Sequence, residues 1–314
     1  MKKEQMWMPS RDGKRSLHCV LWQPDSGQVR AVVQIVHGME EYVERYEDFA
    51  IYLTGHGIAV IGHDMLGHGQ SVREPKEMGF FTEQDGDQVI VDDVESVALR
   101  AQGCFPFAPL VLMAHSMGSF VARRYITQYT GKARGVILMG TGIVSENAAK
   151  AAGGVANLLC MIRGATYRSK WLENRVVGRF NRQFAPTRTR CDWLSRDVEN
   201  VDRYLQDPLC GICFTVGGYR DYFKLAACLA REEDFEQISA RIPMVLISGE
   251  KDPVGHMGKD IPKLAQLYQK WGVTDVTYKL WKDDRHELLN EADREDIYGW
   301  LLGWIESHVL QEYK

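Results

Sequence analysis

The chain has 314 residues, 45% hydrophobic and 25% charged, which is the composition of a soluble globular protein with enough length to bury a substantial core in one or two domains. A net charge of -4 excludes a general attraction to nucleic acid. No apolar run reaches the roughly 18 residues of a membrane span, and the opening Met-Lys-Lys-Glu-Gln-Met-Trp offers no secretory signal, so a cytoplasmic location is expected.

Residues 5 to 9 and 16 to 24 read as two strands joined by Ser10-Arg11-Asp12-Gly13-Lys14, whose Asp-Gly is a hairpin signal. Ala31 to Val36 is a β-branched apolar run ending in His37-Gly38-Met39. A helical stretch follows from Glu44 to about Thr54, stopped by Gly55 and Gly57. Ala59 to Ile61 is a further short strand, leading into the loop Asp64-Met65-Leu66-Gly67-His68-Gly69-Gln70-Ser71. Between Asp87 and Arg100, Val89, Ile90, Asp93, Val94, Val97 and Ala98 recur at helical spacing, with the acids expected on the opposite face. Leu110 to Met113 suits a buried parallel strand, the pattern turns helical from Ser119, and Gly135 to Met139 is one more strand. Strands alternating with helices over 31 to 142 predict a parallel sheet with helices on both faces. Ligands of such sheets bind beyond the carboxyl ends of the strands, where His37, Asp64 and Ser116 fall.

From 143 to 235 the alternation stops. The segment opens rich in Ala and Gly, lacks β-branched runs, and reads as a mainly helical cap inserted between core segments 1–142 and 236–314. Its run from Ala148 to Ile162, with Val155, Leu158, Leu159, Met161 and Ile162, reads as cap core in preference to an interfacial lid helix. Arg163, Arg168, Lys170, Arg175, Arg179, Arg182, Arg188 and Arg190 then stand against one acid, Glu173. A solvated face is the expectation there, with contact to anionic head groups or an acidic substrate as the alternative. The strand-helix pattern returns with Pro243 to Ser248, a helix from Lys259 to Lys270, the strand Val276 to Leu280, and a last helix from Ala292 to His308 buried along Trp300, Leu301, Trp304 and Ile305.

Seven scattered cysteines do not form a disulfide framework, and Cys210-x-x-Cys213 lacks a second pair at zinc spacing, so reduced thiols are expected. His63, Asp64 and His68 share a tight loop with no further ligand suggested. Neither a metal nor a cofactor is expected.

Ser116 stands at the strand-to-helix junction with small neighbours, Ala114 and Gly118, two residues to either side. That spacing permits a sharp turn which exposes the hydroxyl and brings the Met117 N–H to the positive end of a helix. A serine nucleophile needs a histidine base, and the histidine needs a carboxylate to fix its tautomer. In sheets carrying such a turn the acid and the histidine follow in that order, each on a loop after a later strand. Asp252, after the strand at 243 to 248, and His286, after the last strand, meet this requirement; Glu250, Asp283 and Asp284 are the rival acids. The oxyanion needs two donors, for which the backbone N–H groups of Met117 and Met39 are placed.

With these residues assembled, the chain resembles the α/β-hydrolases of the monoacylglycerol lipase and lysophospholipase type, the serine aminopeptidase-like group. The resemblance rests on His37-Gly38-Met39-Glu40-Glu41 with Arg45-Tyr46, on Asp64-x-x-Gly67-His68-Gly69-x-Ser71, on His115-Ser116-Met117-Gly118, and on Asp252 and His286. It implies a mostly parallel sheet with a cap after the sixth strand and an acyl pocket between cap and core. It further implies hydrolysis of monoacylglycerol, lysophospholipid or similar lipid-like esters through an acyl-enzyme; peripheral membrane contact through the cap is a separate expectation, drawn from the cap's basic stretch and its apolar run. Ala114 replaces the usual Gly, and Met39 replaces a smaller residue and narrows the oxyanion side. An aminopeptidase, an acyltransferase and a silent binding protein share the scaffold; the aminopeptidases usually carry Trp after the serine and an acidic cap, against Met117 and a basic cap here.

Overall fold

The computed structural model describes residues 1–25 and 27–311. Strands β1 (Lys2–Pro9) and β2 (Ser16–Gln23) form the antiparallel hairpin expected around Asp12-Gly13, with Pro9 opposite Ser16. The chain then alternates through β3 (Ala31–Val36), α1 (Glu47–Gly55), β4 (Ile58–His63), α2 (Gly86–Cys104), β5 (Leu110–His115), α3 (Met117–Gln128) and β6 (Gly135–Met139). Four helices follow: α4 (Glu146–Arg163), α5 (Lys170–Val176), α6 (Val198–Gln206) and α7 (Val216–Ala230). The alternation resumes with β7 (Met244–Gly249), α8 (Asp260–Lys270), β8 (Val276–Trp281) and α9 (Arg294–His308). Among the described residues the strands form one sheet in the order β1-β2-β4-β3-β5-β6-β7-β8, parallel from β4 through β8.

Each central strand is apolar on both faces because each face has its own core. Along β3, Val32 and Val36 join the core shared with α2, α3 and α8, whereas Ala31, Val33 and Ile35 join the core of α1 and α9. Leu112 against Val111 and Leu246 against Val245 repeat this period-2 division in β5 and β7. The expectation that the acids of α2 face outward fails: Asp87 and Glu95 are buried along with Asp93. Asp93 is buried and accepts hydrogen bonds from Ser10 Oγ (2.9 Å) and the Arg11 N–H (2.7 Å), pinning the β1–β2 turn, while Glu95 accepts from the Tyr125 hydroxyl. A buried carboxyl is tolerated where donors satisfy it.

The reading of residues 148 to 162 as cap core is also overturned. Helix α4 packs on α7 through small residues: Ala149 and Ala156 are buried, and a Cβ on Gly153 would lie 3.4 Å from that of Phe223. Its long apolar side chains face outward instead, Leu158 at 51%, Met161 at 71% and Ile162 at 66% exposure. Small side chains let two helix axes approach closely, so the packing face here is the one without bulk. Side-chain caps begin the helices between β6 and β7: Ser145, Ser169, Asp197 and Thr215 each accept a first-turn N–H.

Candidate active site

Ser116 follows β5 directly and adopts φ 52°, ψ -124°, a strained conformation for a residue bearing a Cβ. Its N–H is held by the Met139 carbonyl at 3.0 Å. A Cβ on Gly118 would lie 2.3 Å from the carbonyl oxygens of Val36 and His37, so no side chain fits at that position. Ala114 is accommodated, fully buried in the core beneath α3.

The loops after β7 and β8 meet behind this turn. His286 Nδ1 lies 2.9 Å from Asp252 Oδ2, and Asp252, itself fully buried, also accepts from Ser248 Oγ (3.1 Å) and the Val254 N–H (2.9 Å). Three donors satisfy the carboxylate, and among the described residues no lysine or arginine pairs with it. The rival acids are engaged elsewhere: Asp283 pairs with Lys251 (2.8 Å), Asp284 with Arg196 (2.6 Å), and Glu250 is exposed. The His286 ring is packed between His115 and Trp193, with centroids at 4.6 and 4.9 Å.

Met117 opens α3, so its N–H has no acceptor within the helix. The turn bearing Met39 is set by His37, whose Nδ1 lies 2.7 Å from the Gly38 carbonyl while Nε2 accepts the Met65 N–H at 2.9 Å. These two contacts require the Nδ1–H tautomer. Because a trans peptide directs its N–H opposite to its C=O, fixing the Gly38 carbonyl also fixes the Met39 N–H. Burial holds the His37 imidazole below its ordinary range, against the pull of Glu41 and Asp64, and so keeps it neutral for this role.

A buried charge network lies under the site. Glu41 accepts from Tyr46 Oη (2.8 Å) and Arg45 (3.1 Å) and contacts His115 Nδ1 at 2.8 Å, and the Gly38 N–H also donates to it. Arg45 grips Glu287 with two bonds of 2.6 and 2.8 Å, and Asn200 of α6 donates to the same carboxylate. His115 Nε2 lies 3.2 Å from the His286 carbonyl. Burial pushes the Glu41 carboxyl up, but His115 and Arg45 outweigh it and hold it below the usual range; burial lowers His115, but Glu41 outweighs it and the imidazole is raised. The sequence places Glu41, Arg45 and Tyr46 within one short stretch, but nothing in it signals Glu287, the partner of Arg45 242 residues away.

Asp64, expected near Ser116 at the strand ends, is structural. It accepts from the N–H groups of Val43 and Gln70 and faces His18 Nδ1, at 2.9, 2.8 and 2.9 Å respectively. No cluster of three metal-ligating side chains occurs among the described residues.

Ser116, His286, Met39 and Met117 all line one cavity of about 620 Å³, with Asp252 behind the histidine. Phe120, Tyr222, Phe223, Val176, Phe180 and Trp193 give it apolar walls. Ile143, Val155, Trp171, Arg175 and Arg179 extend the lining to the surface, and the Arg175 and Arg179 guanidinium groups lie over the Trp171 and Phe180 rings.

The family model described as serine aminopeptidase, S33, matches residues 27–293. A monoacylglycerol lipase of Mycolicibacterium smegmatis is 25% identical over 92% of both chains. A monoglyceride lipase of Mus musculus is 28% identical over 88% of this chain and 81% of its own. Among solved structures, a thermostable carboxyl esterase from Bacillus coagulans in complex with glycerol superposes with a TM-score of 0.90 at 23% identity, covering 98% of this chain and 99% of that one. A monoglyceride lipase from Saccharomyces cerevisiae in complex with a substrate analog superposes with a TM-score of 0.77 at 18% identity, over 98% and 96%.

Proposed function

This chain belongs to the serine aminopeptidase, S33, family of α/β-hydrolases, and from that premise we propose that it hydrolyses carboxylic esters of the monoacylglycerol or lysophospholipid kind through Ser116, His286 and Asp252. Ser116 Oγ attacks the ester carbonyl carbon as His286 Nε2 takes its proton, and Asp252 stabilises the resulting imidazolium through Nδ1–H. The Met39 and Met117 N–H groups receive the oxyanion. Collapse of the tetrahedral intermediate breaks the carbon–alkoxy bond, His286 returns the proton to the departing alcohol, and an acyl-Ser116 ester remains. Water, deprotonated by His286, then releases the carboxylic acid and restores Ser116.

The observation that carries this reading is the shared cavity: a serine held at φ 52° and a histidine 2.9 Å from a buried carboxylate stand in its lining, between apolar walls suited to an acyl chain. In it, residues 143–235 act as a cap that supplies the outer wall, since Val176, Phe180 and Trp193 come from that segment. The basic mouth at Arg175 and Arg179 favours a neutral or anionic ester over a substrate led by a free amine. The same mouth, with the outward apolar ridge of α4, is the surface through which the protein would rest on lipid.

A fluorophosphonate tests the chemistry directly. Intact mass should show one adduct, mapped to Ser116 and absent in His286→Ala, and the parent should turn over p-nitrophenyl esters with a preference for particular chain lengths. A folded protein that takes no adduct and cleaves no ester would refute the assignment.

A further inference from the structure

The chain leaving β7 carries a second carboxylate–imidazole pair besides the one formed by Asp252. His256 Nδ1 lies 2.6 Å from Asp260 Oδ2, and the same oxygen accepts the Ile143 N–H at 3.0 Å, so the ring is fastened where the segments after β6 and β7 meet. Lys263 stands 3.8 Å from the other carboxylate oxygen. Asp260 is buried, whereas the His256 side chain is 63% exposed and lines the cavity that holds Ser116. With Asp260 on Nδ1, Nε2 is turned away from α8, and among the described residues no protein group bonds that nitrogen. The backbone holds this placement under strain: His256, Met257 and Gly258 follow one another at φ 51°, 57° and 73°, left-handed values that the glycine alone adopts freely. The Met257 N–H donates to the Asp252 carbonyl (2.8 Å) and the Asp260 N–H to the Gly255 carbonyl (3.1 Å), which pins the turn. Strain of this kind gathers where a side chain is presented to a ligand.

The charge that solvent reaches in this cavity has one sign. The acids of the lining, Glu40, Glu41 and Glu287, are all buried, and the last two are bonded to Arg45. The exposed basic side chains of the lining are Arg175, Arg179 and His256. A quaternary ammonium would look for an accessible carboxylate or an open aromatic face. No exposed carboxylate lines the cavity, and the Arg175 and Arg179 guanidinium groups already lie 5.0 and 5.3 Å over the Trp171 and Phe180 rings.

We propose that His256, held by Asp260, is a specificity-determining residue that binds the phosphate of a single-chain lipid with a net anionic head group, in preference to an uncharged glycerol or a zwitterionic phosphocholine head. The proposal rests on the esterase reading of the cavity for the lipid part of its ligand: the acyl chain takes the apolar walls and the head group stays at the exposed mouth. With one ring N–H given to Asp260, the proton that makes the imidazole cationic sits on Nε2 and supplies a charge-assisted donor to a phosphate oxygen. Arg175 and Arg179 add attraction of the same sign. A terminal phosphate suits such a mouth because it brings nearly two charges and three acceptor oxygens.

The test is titration calorimetry at pH 6 in Ser116→Ala, with three ether lipids that share an octyl chain and contain no carboxylic ester: 1-O-octylglycerol, its 3-phosphate and its 3-phosphocholine. The phosphate should bind at least tenfold more tightly than either of the others. His256→Asn, which tolerates φ 51°, should weaken the phosphate at least fivefold while moving the glycerol ether less than twofold. His256→Gly should repeat that loss, and it covers the case in which the Asn variant does not fold. Inorganic phosphate titrated alone should bind at least a hundredfold more weakly than the lipid phosphate. An equal loss on the phosphate and the glycerol ether would make His256 a turn-shaping residue and overturn the proposal. So would unchanged phosphate affinity in both variants, a phosphocholine that binds as tightly as the phosphate, or inorganic phosphate that matches the lipid and so marks a site for the free anion. Because no ligand can react and the nucleophile is removed, any of these results leaves the esterase reading standing. If binding is as expected but the wild-type chain hydrolyses no ester, the His256 contact stands and the esterase reading falls.

Discussion

Gly140 marks how closely the proposed base is fitted. It follows β6 directly at φ 59°, and a Cβ there would sit 3.0 Å from both Cε1 and Nδ1 of His286 and 3.3 Å from Asp252 Oδ2. Gly140→Ala should therefore tilt the imidazole as well as strain the turn. We expect kcat on a p-nitrophenyl ester to fall ten- to a hundredfold, because displacement by about 1 Å is enough to cost that much, with a stability loss of about 1–2 kcal/mol by urea unfolding. Wild-type kcat in a folded Gly140→Ala protein would show that the ring has room to adjust. At this scale the sequence is informative where topology restricts the choice: Asp252 and His286 follow from strand order, and the structure sets them 2.9 Å apart. The burial of Asp87 and Glu95 is not legible in the sequence, since whether an acid is buried depends on partners supplied by distant segments.

Between elements, the strongest tie is the Glu41–His115–Arg45–Glu287 network, which joins the turn after β3, the end of β5, the loop after β8 and, through Asn200, α6. All four charged groups are at least nine-tenths buried, so removing one leaves its partners charged in a low-dielectric interior. Glu41→Gln should destabilise the protein by about 3–5 kcal/mol. Its pH dependence follows from the two directions. Glu41 is lowered from 4.5, so its contribution is complete above that value and is lost as pH falls through the folded value. His115 is raised from 6.5, so its contribution is complete below that value and is lost as pH rises through the folded value. The difference between wild type and Glu41→Gln should thus be widest between pH 4.5 and 6.5 and shrink on the alkaline side, as read by urea denaturation. A difference constant from pH 5 to 9 would mean that His115 does not change protonation over that range. The elements themselves were largely readable, with Ala31–Val36 and Gly135–Met139 placed to the residue, because buried parallel strands are short and continuous in apolar character. Helix α4 departs from the rule that large apolar side chains mark the buried face, because close helix packing selects Ala and Gly there.

Across the whole molecule the net charge is -4, yet the charged residues that carry the cavity lining to the surface, Arg175 and Arg179, are both basic. Arg163, Lys170 and Arg182 are exposed in the same stretch of sequence, as are Leu158, Met161, Ile162 and Trp171. Arg168 and Arg188 are not part of this free charge: Arg168 bonds the Pro75 and Met78 carbonyls, and Arg188 pairs with Asp202. No described helix is long and apolar enough to cross a membrane, so contact with lipid would be at the surface. Burying each large side chain of the ridge is worth about 1.5–3 kcal/mol when complete, and each basic residue near an anionic leaflet adds about 1 kcal/mol. Both contributions act at the face through which a lipid-like ester would enter. The protein should therefore float with vesicles containing 30% anionic lipid at low salt, and less so at 0.5 M salt, where charge attraction is screened. Met161→Glu combined with Ile162→Glu should abolish flotation while leaving turnover of a soluble short-chain ester intact, since neither residue lines the cavity. Wild-type protein that stays at the bottom of the gradient with anionic vesicles would remove the membrane from the reading and leave the basic rim to act on the substrate alone.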